Sequence, residues 1–130
     1  MTRVNVGIDP RELPRSALLA EHREMKRIPN MLRSGRLSKK RIDKFCLGTG
    51  HMQFFTTRLH YLYRRYVAVY YECKARGYKV QNFRSAFAGF INAKDQEDYV
   101  PKTADRKLLQ ARLLERGHVL TRVKCRCKSL

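Results

Sequence analysis

The sequence predicts an all-α fold: one compact domain over residues 1–130, three principal helices, and an extended N-terminal arm laid against them. Two observations predict it. Apolar residues recur at spacings of three and four over residues 14–28, 52–76 and 103–116. Helix-start and helix-stop residues bound these stretches, and no comparably strong strand signal appears.

Composition sets the limits. At 130 residues and 43% hydrophobic content, the chain has enough apolar surface for one modest core. Lys and Arg number 29 against 11 Asp and Glu, a formal charge of +18. Such self-repulsion is best relieved by a polyanion, with nucleic acid first and an anionic membrane surface a distant second. Heavy use of Arg suits bidentate contacts to phosphate. No apolar run approaches the roughly 20 residues of a membrane span. No apolar block follows a basic patch at the start, so a secretory signal is not expected. An intracellular protein with reduced cysteines is the expectation.

Residues 1–9 read as an arm, with Val4 and Val6 as its anchors. Asp9, Pro10, Pro14 and Ser16 supply turn and helix-start signals. The first helix follows to about Ile28, where Pro29 ends or kinks it. Leu18, His22 and Met25 share one side, with Leu19 beside them; Ala20, Arg23, Glu24 and Arg27 share the other. Glu24 stands among Arg23, Lys26 and Arg27. Such an arrangement is either a solvated face with i,i+3 and i,i+4 ion pairs or a carboxylate held in a phosphate-binding surface.

Residues 36–44 form a basic connector, read either as a solvated loop or as a loop that tracks phosphates. In Leu47-Gly48-Thr49-Gly50-His51, two glycines one residue apart indicate a tight turn. The full spacing of a nucleotide-binding loop is missing, so a nucleotide cofactor is rejected.

The second helix spans about residues 52–76, with Gly77 as its stop. Phe55, Leu59, Leu62, Tyr66, Val69 and Cys73 form its core stripe, and Arg58, Arg64, Arg65 and Lys74 take the other faces. Its many tyrosines read mostly as core and rim. Residues 85–91 suggest a short helix, and residues 95–98 hold an acidic cluster. The third helix spans residues 103–116, with Thr103 as N-cap, Gly117 as stop, and Leu108, Leu109 and Leu113 facing the core. Arg112 and Arg116 stand one turn apart, in position to reach phosphates. The tail, 118–130, is basic and carries no clear element.

Cys46 and Cys73 read as small core residues. Cys125 and Cys127 form a C-x-C pair with His118 upstream, a weak zinc signal without a second pair, and no metal is expected.

The arm also carries chemistry. Thr2 is small, so Met1 is removable and would leave Thr2 with a free α-amine. Such an amine has a reference pKa of about 7.7–8.0, against about 10.4 for Lys. A useful fraction is therefore unprotonated near neutrality and able to attack an electrophilic sugar carbon, forming a Schiff base. A carboxylate such as Glu24 would stabilise the cationic sugar and move protons for elimination. A free N-terminal amine is universal, however, and Thr2 alone implies no function.

Several blocks occur in order from residue 1 to about 116: Met1-Thr2-Arg3-Val4-Asn5, Leu18-Leu19-Ala20-Glu21-His22-Arg23-Glu24, Leu47-Gly48-Thr49-Gly50-His51 with Phe54-Phe55, Glu72-Cys73 with Arg76-Gly77, Asp98-Tyr99-Val100-Pro101, and Gln110-Ala111-Arg112-Leu113. Together they resemble the phage endonuclease V family, pyrimidine-dimer DNA glycosylases with an abasic-site lyase activity. The resemblance implies an arm threading near the active site, Thr2 as nucleophile through its α-amine, and Glu24 as the catalytic carboxylate. It implies that Arg3, Arg23, Arg27, Arg112 and Arg116 bind DNA, and that damaged double-stranded DNA is the partner of a monomer. Neither metal nor cofactor is implied, nor a membrane. The chain would act inside the cell, on DNA.

The sequence departs from the family pattern in several places. Ala17 stands where a histidine is frequent, His22 where a tyrosine precedes the Arg-Glu pair, and Tyr66 where a glutamine approaches DNA. The helix proline has moved to Pro29, and the Tyr-rich C-terminal segment is replaced by Val123-Lys124-Cys125-Arg126-Cys127-Lys128. These changes spare the amine and the carboxylate and bear on lesion preference. The alternatives are an abasic-site or other-lesion lyase with little dimer specificity, and a basic DNA-binding module without catalysis.

Overall fold

The computed structural model describes residues 3–48, 50–91 and 93–121. Among them there are helices and turns and no strand. The α-helices are α1 (Arg15–Glu24), α2 (Arg27–Arg33), α3 (His51–Phe54), α4 (Leu59–Ala75) and α5 (Thr103–Glu115). The fold is all-α, as the periodicity predicts, but two of the three expected helices are broken.

The first break lies at Met25 and Lys26, upstream of Pro29. A proline ring excludes the carbonyl four residues back, here that of Met25. Ile28 N–H takes that carbonyl instead, at 3.3 Å, and the chain turns. Pro29 then sits in the first turn of α2, where a missing N–H costs little.

The second break lies at Arg58, which has φ −128° and ψ 40°. Upstream, α3 passes into a 3-10 turn, Phe55–Thr57. The groups freed by the break are taken by a distant side chain. Gln96 Oε1 accepts the Leu59 N–H at 2.8 Å, and its Nε2 donates to Thr56 O at 3.0 Å. The Arg58 guanidinium is also buried, donating to Ile42 O and Phe54 O at 2.8 and 2.9 Å.

The core forms where α1 packs along α4. Leu18 and His22 enter it from α1, Met25 from the break that follows, and Leu59, Leu62, Tyr66, Val69 and Cys73 from α4. Val4 and Val6 anchor the arm with no exposed surface, as expected. Arg65 does not decorate an outer face but is buried. Leu108 faces outward at 47% exposure, while Leu109 and Leu113 face the core. Cys46 is only partly buried. Residues 85–91 give only a 3-10 turn, Arg84–Phe87, with the Phe87 ring beside Tyr63 and Tyr66. Lys102, not Thr103, caps α5; its N–H is held by the Asp105 carboxylate at 3.0 Å. Gly77 and Gly117, at φ 82° and 79°, follow the ends of α4 and α5 as expected.

The acidic cluster neutralises part of the basic connector. Lys39 pairs with Asp95, Arg41 with Glu97 at 2.5 Å, and Arg64 of α4 with Asp98 at 2.5 Å.

Candidate active site at the N-terminal arm

The arm is held by side chains from distant parts of the chain. Val4 N–H donates to His51 Nε2 at 3.0 Å. Asn5 donates twice to the Glu21 carboxylate, from its backbone at 3.4 Å and from Nδ2 at 2.7 Å. Arg106 Nη1 donates to Gly7 O at 3.0 Å, and Arg65 Nη1 to Ile8 O. Gly7 has φ 80°, and a Cβ there would lie 3.2 Å from Arg106 Cβ, so glycine is required both for the turn and for this approach.

Glu21 organises this region. Arg65 grips its carboxylate with Nε to Oε2 at 2.7 Å and Nη2 to Oε1 at 3.0 Å. The side chains are 7% and 1% exposed, Arg65 first. Burial works against the Arg65 charge, but the Glu21 charge and hydrogen bonds prevail and raise its pKa. A carboxylate only accepts, so this pair also fixes the Asn5 amide with Nδ2 toward Glu21. Asn5 Oδ1 is left buried with no donor among the described residues.

One turn beyond Glu21, Glu24 is half-buried at the wall of a cleft. Arg3 and Asn5 of the arm line it, with Ala17, Ala20, Glu21 and Glu24 of α1, Leu113 of α5, and Arg116 and His118 just beyond. The small side chains of Ala17 and Ala20 leave the space open. Positive charge crowds its rim. The Arg3 pKa is lowered, first by burial and then by repulsion from Arg116 and Arg112, with Glu115 and Glu24 opposing. Arg112 lies 3.5 Å from Glu115.

The structure thus brings together Arg3, Glu24 and Arg116, with Arg112 close by. Arg23 and Arg27 are exposed and do not line this cleft. Arg27 lines a neighbouring groove with Asn30, Met31, Ser34 and Arg36. Thr2 lies outside the described residues, as do Thr49, Cys125 and Cys127. His118 Nδ1 is 3.4 Å from Ser16 Oγ, at the cleft. Among the described residues no group of three or more His, Cys, Asp or Glu is placed to hold a metal, and no helix is long and apolar enough to cross a membrane.

The sequence model of one family, the pyrimidine dimer DNA glycosylases, matches residues 1–85. The chain belongs to this family. It is a DNA repair glycosylase with an associated abasic-site lyase activity, and it acts on DNA carrying pyrimidine dimers. The match takes in the arm and α1 to α4, hence Arg3 and Glu24; α5, which presents Arg112 and Arg116, lies beyond it.

Two departures from the pattern of pyrimidine dimer glycosylases touch each other. Tyr66 OH is 3.0 Å from His22 Nε2 and accepts the Phe83 N–H at 2.8 Å. Tyr66 is fully buried. It braces α1, α4 and residue 83 and is not at a surface where DNA would lie. The sequence reading missed Asn5, Glu21 and Arg65 as site residues. In Glu21 and Arg65 the signal was an acid and a base on apolar stripes of helices that pack together.

Proposed function

We propose that this glycosylase acts through the α-amine of Thr2, exposed by removal of Met1, with Glu24 as the catalytic carboxylate. The observation that carries the reading is that Glu24 and Arg3, the residue next to Thr2, line one cleft. The amine attacks C1′ of the 5′ nucleotide of the dimer, the C1′–N bond to the base breaks, and the sugar ring opens to an imine. Glu24 stabilises the positive charge that develops on the sugar. Glu24 then takes a C2′ proton, the electron pair moves to expel the 3′ phosphate, and β-elimination is complete. Arg3, Arg112 and Arg116 hold phosphates around this point, and Arg23 and Arg27 extend the contact along the backbone. The chain works as a monomer, one domain over residues 1–130, on duplex DNA inside the cell.

Borohydride reduces an imine to a stable amine and so tests the reading. UV-irradiated duplex is incubated with the protein and borohydride, and the trapped N-terminal peptide is identified by mass spectrometry. An adduct on the Thr2 amine supports the nucleophile and the loss of Met1 together. No adduct on irradiated DNA but one on an abasic duplex keeps the lyase step and removes the dimer. No adduct on either, from protein shown to start at Thr2, overturns the Thr2 assignment.

A further inference from the structure

The glycine turn that precedes α3 delivers one side chain to the arm. Gly50, at φ 92°, caps α3 in the left-handed region, and His51 is the first residue of the helix. The His51 ring is 3% exposed. It packs edge-on against Phe45 and Phe55. Nδ1 is 3.0 Å from Cys46 O, a carbonyl that can only accept, so Nδ1 carries the proton. Nε2 is then a bare lone pair, and the Val4 N–H donates to it at 3.0 Å. Both nitrogens of one neutral imidazole are thus used, one to fix the ring and one to hold the arm.

We infer that His51 is a positioning residue for the reaction: its Nε2 acceptor sets where the arm begins and so where the terminal amine reaches. This rests on the proposed role of Thr2. Val4 is two residues from Thr2, and Arg3 between them lines the cleft with Glu24. A second anchor, Asn5 on Glu21, holds the next residue. A second proton on the ring converts Nε2 from acceptor to donor, facing the Val4 N–H donor, and the anchor is lost. The charges that act on the ring are Arg3 of the arm, which opposes that proton, and Glu21 of α1, which favours it. Burial opposes it most.

The test compares wild type, His51→Leu and His51→Gln on an abasic duplex. The readouts are single-turnover borohydride trapping between pH 5 and pH 8, and equilibrium binding. Leu keeps bulk and removes the acceptor; Gln keeps an acceptor that takes up no proton. His51→Leu is expected to trap tens of times more slowly than wild type at neutral pH, with binding changed less than about threefold, since small misplacements of reacting groups have effects of this size. His51→Gln is expected to trap within a few fold of wild type, because it keeps an acceptor for the Val4 N–H. Equal trapping by wild type and His51→Leu overturns the inference. If Leu does not fold, His51→Gln decides alone: trapping tens of times slower than wild type, with the acceptor kept and binding unchanged, overturns it. A wild-type adduct elsewhere than on Thr2 would instead remove the nucleophile assignment, and the same peptide analysis reports it.

Discussion

Arg65 of α4 closes a two-bond grip on Glu21 of α1, at 2.7 and 3.0 Å, beneath the arm. The pair ties the two main packing helices together and hands the Glu21 carboxylate to Asn5. Glu24, three residues on from Glu21, lines the same cleft. Removing one partner leaves an uncompensated buried charge. Glu21→Leu or Arg65→Met alone should cost about 3–5 kcal/mol of stability, and the double variant distinctly less than the sum. Urea unfolding of the four proteins, with unchanged m-values, checks this. Additive losses would mean that the two groups do not act as a pair.

Glu24→Gln removes the charge and keeps the shape. Glycosylase and nicking rates should fall by at least about 10²-fold, the lower end for a lost general acid–base group. Binding to dimer-containing duplex should stay within a few fold, because a carboxylate is no phosphate contact. Gel-shift titration beside a nicking assay measures both, and lost binding would point to a structural role for Glu24.

Arg112 and Arg116 are assigned to phosphates. Each replaced by Ala should lower the slope of log K against log salt by about 0.9. The loss should be similar for damaged and undamaged duplex. An unchanged slope would place these side chains off the DNA.

Stability should fall in acid. Burial lowers the pKa values of both His22 and His51; a hydrogen bond to Gln81 offsets part of this for His22, and Lys26 adds to it. The unfolded chain has its histidines near 6.5 and binds their protons first. Their contribution is therefore complete above about pH 6.5 and is lost as pH falls through the depressed native values. Thermal midpoints from pH 8 to pH 5 should decline below about 6.5, and His51→Gln should flatten part of that decline. A curve level to pH 5 would contradict the buried neutral rings.

Gln96 stands in for the helix ladder at the break between Thr57 and Leu59. Gln96→Ala leaves the Leu59 N–H and Thr56 O without it and should destabilise by about 1–3 kcal/mol. Hydrogen exchange at the Leu59 amide should speed up more than at Val69, deep in α4. Equal protection at both would mean that the junction is held by something else.

The sequence by itself determined what depends on neighbours along the chain. A period of 3.6 residues marks helices from sequence alone, and the stripe through Leu59, Leu62, Tyr66, Val69 and Cys73 is fully buried as read. Gly77 and Gly117 follow helix ends because a left-handed φ is cheap only for glycine. Net charge pointed to a polyanion, and the block from Leu18 to Glu24, in order with the others, to the family that acts on damaged DNA. The tertiary structure alone decided what depends on partners far away. Helical period sets Arg65 beside the core stripe but cannot tell an arginine that reaches out to water from one that is buried, because the difference lies in Glu21, 44 residues earlier. Nor can it place the break at Arg58, which Gln96 completes from 37 residues beyond Leu59. The anchoring of Val4 by His51, 47 residues away, is of the same kind. Such bonds join groups far apart in the chain, and only the tertiary packing, of α1 on α4 in the case of Glu21 and Arg65, brings them within about 3 Å of one another.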